Sequence, residues 1–252
     1  AYDMSECLVG SEMCIRDRFY ETAKWMAGKV SVPVAIHLDH GDSFERCMEM
    51  LKLGFTSIMF DGSALPVEEN AAATEAVARV CRSFGVPLEA EIGELCRLDD
   101  RGNKIGASNI ADPDVVRQYL KLCHPDSLAI GIGNAHGFYN GPVDIRVEVL
   151  EECRKFTDIP FVLHGCTGMD EELVKRSIDS GVAKINFGTQ VRCQYVNYLK
   201  EGLAEGKDQG HAWKLSQYAE LRLREDIKDI IRLAGSKAVS YTHLRAHETL
   251  AN

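Results

Sequence analysis

The sequence predicts an α/β fold, a TIM (β/α)8 barrel in which six strands are recognisable. Short apolar segments alternate with amphipathic segments, which indicates right-handed βα units and a parallel sheet. Several apolar segments also end in histidine or acidic residues. Candidate catalytic residues at many strand ends favour a barrel, because an open sheet would bind its ligand at a single switch point.

Each predicted strand is a short apolar segment, and five of the six end in a polar residue or glycine. The six strands span 34–39, 57–62, 88–93, 127–132, 161–165 and 183–188. A closed barrel of this type needs eight strands. Because the six are consecutive, we expect the first two βα units to be absent from this chain, which would leave open sheet edges.

The segments between these strands show helical periodicity of apolar residues. Capping residues, proline or glycine mark the ends of several predicted helices. Asp112-Pro113 supplies an N-cap and a proline at the first helical position, and Gly54 and Gly181 each follow a helix. The predicted helices include one that starts at 113 and others over 43–53, 144–156, 169–180, 190–204 and about 212–234.

Both ends of the chain differ from the part between them. Residues 1–18 show no sustained period, and residues 239–252 do not continue the preceding pattern. Both resemble translated sequencing-adapter sequence, so we expect non-native tails that flank a catalytic domain over 19–238. Genuine but variable termini are the alternative.

The amino-acid composition limits the classes of binding partner and the cellular compartment that we expect. The formal net charge of −9 makes nucleic acid and anionic membranes poor partners, and no apolar run is long enough to cross a bilayer. Two of the nine cysteines lie in the expected tails, and the remainder form no Cys-x-x-Cys pair. This usage predicts reduced thiols, most of them in the core of a cytoplasmic protein.

Three histidines close to predicted strand ends indicate a metal site. His40, His136 and His164 are each followed by glycine. Three imidazoles with one open position are typical of a catalytic zinc, so these residues are the predicted ligands. His37 is a fourth candidate, although a packing or orienting role is the preferred interpretation.

Acidic residues accompany these histidines. Asp39 precedes a predicted ligand, where a carboxylate could move a proton or orient an imidazole, and spacing does not decide between the two. Asp61 and Glu91 lie in apolar strands, where an acid is costly unless it is paired or metal-bound. We therefore predict that they form a second cation position or hydrogen-bond to the ligand histidines.

Two glycine-bearing turns follow the last predicted strands and lead into helices. They are Gly165-Cys-Thr-Gly168 and Asn186-Phe-Gly-Thr189. Turns of this kind present backbone N–H groups to phosphate, and barrels often bind phosphate after strands seven and eight. A dinucleotide fingerprint that would begin at Gly131 is excluded, because His136 replaces its last glycine.

Taken together, these segments resemble the class II, zinc-dependent fructose-bisphosphate and tagatose-bisphosphate aldolases. The similarity covers about residues 19–238 and keeps chain order. The segments that carry it are His37-Leu-Asp-His-Gly41, Asp61-Gly-Ser-x-Leu-Pro-x-Glu-Glu-Asn70, Glu89-Ala-Glu-Ile-Gly93, Ala135-His-Gly137, Leu163-His-Gly165 and Lys184-Ile-Asn-Phe-Gly-Thr189.

The resemblance implies reversible cleavage of a ketose 1,6-bisphosphate to dihydroxyacetone phosphate and glyceraldehyde 3-phosphate. The three histidines would hold Zn²⁺ as a Lewis acid, Asp61 and Glu91 would support the metal region, and Asp39 would exchange the C4 hydroxyl proton. It also implies a monovalent cation (Na⁺ or K⁺) and a homodimer or homotetramer. The residues implied to hold the phosphate and the triose are Gly137, Gly165, Thr167, Asn186 and Thr189.

Several positions depart from the family pattern. Cys166-Thr167 replaces the usual Gly-Ser, Asn134 stands where threonine or serine is frequent, and Gln190 stands where an acid is frequent. The loop after Glu91 lacks the usual Gly-Gly-Glu pattern. The acid that moves the enediolate proton is therefore unassigned, with Glu94 and Asp99 as candidates.

Two other interpretations stay open. Another metal-dependent barrel enzyme, such as a hydrolase, would use similar ligands, but hydrolysis leaves the two phosphate turns unexplained. The chain could also be an inactive aldolase fragment, because two strands are missing from the count. Sequence alone does not distinguish fructose from tagatose bisphosphate.

Overall fold

A computed structural model describes residues 12–93, 96–98, 104–105, 110–137 and 144–236. The chain divides into two compact units, and we refer to them as the first and second units. The first comprises residues 1–90 and 120–127, and the second comprises residues 91–119 and 128–252.

The described residues contain nine strands, numbered β1 to β9 in chain order. Six of them form a sheet with neighbouring strands in chain order, and the pairs β1–β2, β2–β3, β6–β8 and β8–β9 are parallel. All six predicted strands are therefore confirmed and are shorter than predicted; β1 ends two residues later than expected, and β9 begins one residue earlier. The strands of this sheet are β1 (His37–Gly41), β2 (Ser57–Phe60), β3 (Leu88–Ile92), β6 (Ser127–Ile130), β8 (Phe161–Leu163) and β9 (Val182–Ile185).

A second, small sheet was not predicted. It consists of β4 (Cys96–Leu98), β5 (Lys104–Ile105) and β7 (Ala135–His136). β4 pairs antiparallel with β5 and parallel with β7. These strands have two or three residues each, too few for an alternating pattern to be visible in sequence.

Eight helices complete the described residues, and none of them is both long and apolar enough to cross a membrane. Each helix predicted from periodicity is present within a few residues of its expected ends. α1 begins inside the segment expected to be a tail, and neither α1 nor α3 was predicted. The helices are α1 (Glu12–Ala27), α2 (Phe44–Leu53), α3 (Val67–Phe84), α4 (Pro113–Leu122), α5 (Val147–Arg154), α6 (Glu171–Asp179), α7 (Thr189–Ala204) and α8 (Ala212–Leu233).

The predicted helix ends have a local cause in side-chain caps and a left-handed glycine. The Ser43 hydroxyl accepts a hydrogen bond from the Arg46 amide at 3.3 Å, and Gly54 closes α2 at φ 100°. The Asp112 carboxylate accepts from the Asp114 amide at 2.8 Å at the start of α4. These bonds satisfy backbone groups that have no partner inside the helix.

The core of the first unit lies between α2, α3 and the strands β2 and β3. Cys47 and Cys81 belong to it and are fully buried. Burial is the main cause that raises the pKa of the Cys47 thiol to about 12 and that of Cys81 to about 11. These two cysteines therefore act as packing residues, as predicted. The buried members of the core are Cys47, Met50, Leu51, Ile58, Phe60, Val77, Ala78, Cys81 and Leu88.

In the second unit, Arg154 ties the end of α5 to the starts of β8 and β9. Its guanidinium donates to the carbonyl oxygens of Thr157 at 2.9 Å, Ile159 at 3.0 Å and Gly181 at 3.1 Å. The same group stacks over the Phe161 ring, 4.2 Å from the centroid. A planar fork of donors can satisfy several carbonyls at once, which a single ammonium cannot do in the same geometry.

We therefore predict that Arg154→Lys lowers the free energy of unfolding by about 1–3 kcal/mol, because partly buried carbonyls lose their donor. Chemical denaturation measures this change. Arg176→Lys is the matched control, since Arg176 forms surface ion pairs with Glu148 and Glu151 and should cost less than about 1 kcal/mol. Equal effects of the two substitutions would contradict the role given to Arg154.

Candidate active site

A β-bulge at the end of β1 sets the direction of His40. The register between β1 and β2 shifts between Leu38 and Gly41, and His40 adopts a left-handed φ of 53°. Such a conformation costs a non-glycine residue about 1–3 kcal/mol and often marks a functional site. A Cβ at Gly41 would overlap the Met59 carbonyl oxygen and the Cys47 thiol. The His-Gly pair therefore has a steric cause at this strand end.

The imidazole of His40 is oriented by a carboxylate. Its Nδ1 lies 2.8 Å from Oδ2 of Asp61, and its Nε2 lies 4.0 Å from Oδ1 of Asp39. The His40 amide also donates to the Met59 sulfur at 3.3 Å. Because Nδ1 is engaged by Asp61, Nε2 is the ring nitrogen that can face a metal ion, which is the usual arrangement of a metal-binding histidine.

Asp61 itself is held as an anion. Its Oδ1 accepts hydrogen bonds from the Ser63 hydroxyl at 2.6 Å and from the Ser63 amide at 3.1 Å. Burial alone would raise the pKa of this carboxyl, but the hydrogen bonds from His40 and Ser63 outweigh it and lower the pKa to about 2. These contacts fit the hydrogen-bonding interpretation of Asp61, and direct metal ligation by Asp61 stays a prediction.

His37 has partners on the neighbouring strands. Its Nδ1 lies 2.8 Å from the Ser57 hydroxyl, and its Nε2 lies 3.7 Å from Oε2 of Glu89. Glu89 is almost fully buried, so an imidazole beside it offsets part of the cost of a buried carboxylate. This geometry fits the packing or orienting role that the sequence favoured for His37.

In the second unit, His164 follows β8 and is buried. The Asn186 amide group lies 3.2 Å from its Nδ1. Gly165, the next residue, has a φ of 63°, and a Cβ there would overlap the backbone of Ala135. The segment that leads into His136 therefore approaches the end of β8 as closely as two backbones allow.

The Gly165–Gly168 turn is hydrogen-bonded to the start of α7. The amide of Gln190 donates to the Thr167 hydroxyl oxygen at 3.2 Å, and Thr189 is the first residue of α7. Cys166, in contrast, is buried, and its thiol contacts the Leu163 carbonyl oxygen at 3.5 Å. Burial raises the pKa of Cys166 to about 12, so this departure from the family pattern is a packing residue.

Candidate metal ligands occur in both units: Asp39, His40 and Asp61 belong to the first, and Glu91 and His164 belong to the second. Glu91 is buried on β3. His136 belongs to β7, and Gly137 follows it with a φ of 125°. The predicted residues whose placement falls outside the described side chains are His136, Glu94 and Asp99.

The sequence matches the family described as fructose-bisphosphate aldolase class-II over residues 10–238. The chain belongs to this family. Class II aldolases are generally metal-dependent lyases, which agrees with the carboxylate-oriented imidazole of His40 in the first unit.

Two similar proteins within the family are named for different aldolase substrates. The chain is 38% identical over 208 residues to a probable fructose-bisphosphate aldolase of Bacillus subtilis, covering 82% of this chain and 73% of the relative. It is 40% identical over 161 residues to a 6-phospho-5-dehydro-2-deoxy-D-gluconate aldolase of Bacillus velezensis, covering 64% of this chain and 55% of the relative. The chain therefore spans only part of each relative's length.

Solved structures confirm the predicted fold class. The YdjI aldolase from Escherichia coli K12 matches with a TM-score of 0.76 and 29% identity, over 89% of this chain and 77% of that one. A putative fructose-1,6-biphosphate aldolase from Coccidioides immitis matches with a TM-score of 0.76 and 24% identity, which supports the fold alone, over 90% and 80% of the two chains. The six parallel strands thus correspond to part of an aldolase TIM barrel.

Gly165→Ala tests the close approach of the two backbones. We expect it to lower the free energy of unfolding more than Gly85→Ala does, by roughly 2 kcal/mol or more, because overpacking is added to backbone strain. Gly85 is the matched control: its φ is 66°, and a Cβ there meets nothing within 4 Å. The left-handed conformation alone should cost about 1–2 kcal/mol in both variants. Equal losses, measured by denaturation, would contradict the steric role of Gly165.

Proposed function

We propose that this protein is a zinc-dependent aldolase that reversibly cleaves a ketose 1,6-bisphosphate, fructose or tagatose, to dihydroxyacetone phosphate and glyceraldehyde 3-phosphate. The observation that carries the proposal is the orientation of His40 by Asp61, with Asp39 beside the same imidazole. Family membership supports the class of reaction. Hydrolysis would leave the two glycine-bearing turns, proposed to bind phosphate, unexplained.

The residues present fit a zinc ion. His40, His136 and His164 would hold it, because imidazole nitrogen suits zinc better than the harder Mg²⁺ or Ca²⁺. The 2.8 Å bond between His40 and Asp61 is the kind of outer contact that zinc-binding histidines make. When bound, zinc would supply Lewis-acid stabilisation of the negative charge that develops on the cleaved ketone.

Asp39 is the residue proposed to move the proton. Its side chain is 55% exposed, so a substrate can reach it, and Oδ1 lies 4.0 Å from Nε2 of His40. In cleavage, Asp39 takes the proton of the C4 hydroxyl, and in condensation it returns that proton to the aldehyde oxygen. General-base catalysis of this kind contributes about 10²–10⁴-fold to rate.

The phosphate is proposed to bind between the Gly165–Gly168 turn and the start of α7. Backbone N–H groups at a helix N-terminus favour an anion. Because the Thr167 oxygen already accepts from the Gln190 amide, its own proton can be donated to a phosphate oxygen. Gly137, Asn186 and Thr189 are proposed to complete the contacts with the phosphate and the triose.

A second candidate substrate comes from the relatives. The Bacillus velezensis protein named for 6-phospho-5-dehydro-2-deoxy-D-gluconate shares 40% identity with this chain over 161 residues. Gln190 replaces an acid frequent in this family, and a neutral residue there would tolerate an acidic substrate better than a carboxylate would. We therefore include this compound among the substrates to be tested.

Three further properties belong to the proposal. The six cysteines found free in the described residues fit a reducing compartment, which supports a cytoplasmic location. A homodimer or homotetramer and a monovalent cation, Na⁺ or K⁺, are supported by the family resemblance. Analytical ultracentrifugation would test the assembly, and activity in Na⁺, K⁺ and tetramethylammonium buffers would test the cation.

The direct experiment measures zinc content together with cleavage of the three candidate substrates, before and after chelation. We expect near one zinc per chain and cleavage of one substrate that is lost on chelation and restored by zinc. Zinc uptake without cleavage of any substrate would favour the inactive-fragment interpretation. A folded protein with neither zinc nor cleavage would contradict the proposal.

Asp39→Ala should lower kcat by about 100-fold or more and leave zinc content unchanged, because the proton acceptor is lost while the histidines remain. Asp42→Ala is the matched control, since Asp42 is an exposed acid three residues further along that hydrogen-bonds to Ser43. Turnover of the Asp39 variant at the level of the control would rule out the acid–base role.

Asp61→Asn should weaken zinc binding about 10–100-fold, because a neutral amide supports the His40 imidazole less well than a carboxylate does. Competition with a chromophoric chelator measures the affinity. Asp42→Asn removes the same charge from the same region and should leave the affinity within a few fold. An Asp61 variant with native affinity would show that the hydrogen bond does not support the metal.

A further inference from the structure

We infer that Asn134 is a positioning residue that fixes the distance between the two segments bearing His136 and His164. The inference rests on the proposed function, because it concerns the zinc ligands. Asn134 is almost fully buried, and no sequence motif assigned it a role. Its amide connects two backbone segments that are thirty residues apart in the chain.

Both polar atoms of the Asn134 side-chain amide form hydrogen bonds. Its Nδ2 donates to the carbonyl oxygen of His164 at 2.7 Å, and its Oδ1 accepts from the amide of Ile132 at 3.0 Å. A side-chain amide can donate and accept at the same time along one plane. The bond to His164 therefore reaches from the loop after β6 to the end of β8.

Backbone hydrogen bonds and one close backbone contact hold the rest of this loop in place. The Gly131 amide donates to the Ile92 carbonyl oxygen at 2.9 Å, and the Arg146 amide donates to the Ile132 carbonyl oxygen at 2.8 Å. Gly133 has a φ of 94°, and a Cβ there would overlap the Asp144 carbonyl oxygen. These contacts hold residues 131–133 in place, and the Asn134 side chain links the loop to His164.

The consequence for the ligands follows from chain connectivity. His136 lies two residues after Asn134, and Ala135 between them packs against Gly165, next to His164. Two backbones this close need a bond that keeps them in register as well as a glycine that lets them approach. If the amide is removed, the buried carbonyl of His164 loses a donor, and the two segments are less firmly held together.

Asn134→Thr and Asn134→Val form a matched pair, because the two side chains have the same shape and differ in the hydroxyl. Threonine keeps a hydroxyl that can donate toward the His164 carbonyl oxygen, directly or through a water molecule, whereas valine has no donor. We expect the valine variant to bind zinc about 10–100-fold more weakly than the native protein, and the threonine variant to lie within a few fold of it. Competition with a chelator measures the affinity.

Two further measurements separate positioning from simple loss of stability. The absorption spectrum of the Co²⁺-loaded protein should change in the valine variant, because it reports the geometry of the ligands. In the metal-free protein, the Ile132 amide should exchange with solvent faster in the valine variant, since its acceptor is gone. Asn197→Asp, an exposed change on α7, should alter none of these quantities.

Equal zinc affinity and equal Co²⁺ spectra for the threonine and valine variants would overturn the inference. If the valine variant fails to fold, the comparison passes to Asn134→Ser and Asn134→Ala, which leave more space at the site. A native protein that binds no zinc would contradict the proposed function, and with it any role of Asn134 toward the metal. Native zinc binding with equal variants would contradict the role of Asn134 alone.

Discussion

The hydrogen bond between His40 and Asp61 is the interaction on which the site in the first unit depends. It joins the ends of two neighbouring parallel strands, fixes which imidazole nitrogen faces away from Asp61, and keeps the Asp61 carboxyl ionised. An imidazole on an ordinary strand end would be free to choose its rotamer. Here the bulge in β1 and the close packing around Gly41 set the backbone conformation at His40, and Asp61 hydrogen-bonds to its imidazole.

In the second unit, His164 is also held in place, but by different groups. His164 is held at its backbone by the Asn134 amide and faces the Asn186 amide at its ring. The neighbouring Gly165 allows a second chain segment to come into contact. A carboxylate orients the His40 imidazole in the first unit, whereas neutral amides and a close backbone approach hold His164 in the second.

The strands and helices of the sheet could be predicted because each shows its period over a long enough run and is closed by a cap or a glycine, as at Ser43 and Gly54. The bulge at His40 could not be predicted, since it depends on how Met59 and Cys47 fill the space beside Gly41. The small sheet containing β7 was missed because its strands are too short to show a pattern. The candidate histidines were identifiable from repeated His-Gly pairs, but nothing local marks Asn134, whose two partners are fixed only by the fold.

Several of the most buried side chains here are polar, and this has a thermodynamic consequence. Glu89, Glu91, Asn134 and His164 all lie among apolar strands, where an unsatisfied polar group is costly. The strained φ of His40 adds to that cost. A protein selected only for stability would replace such residues by apolar ones of similar volume. Their presence therefore argues that these positions serve binding, while stability comes from the apolar core and from contacts such as those of Arg154.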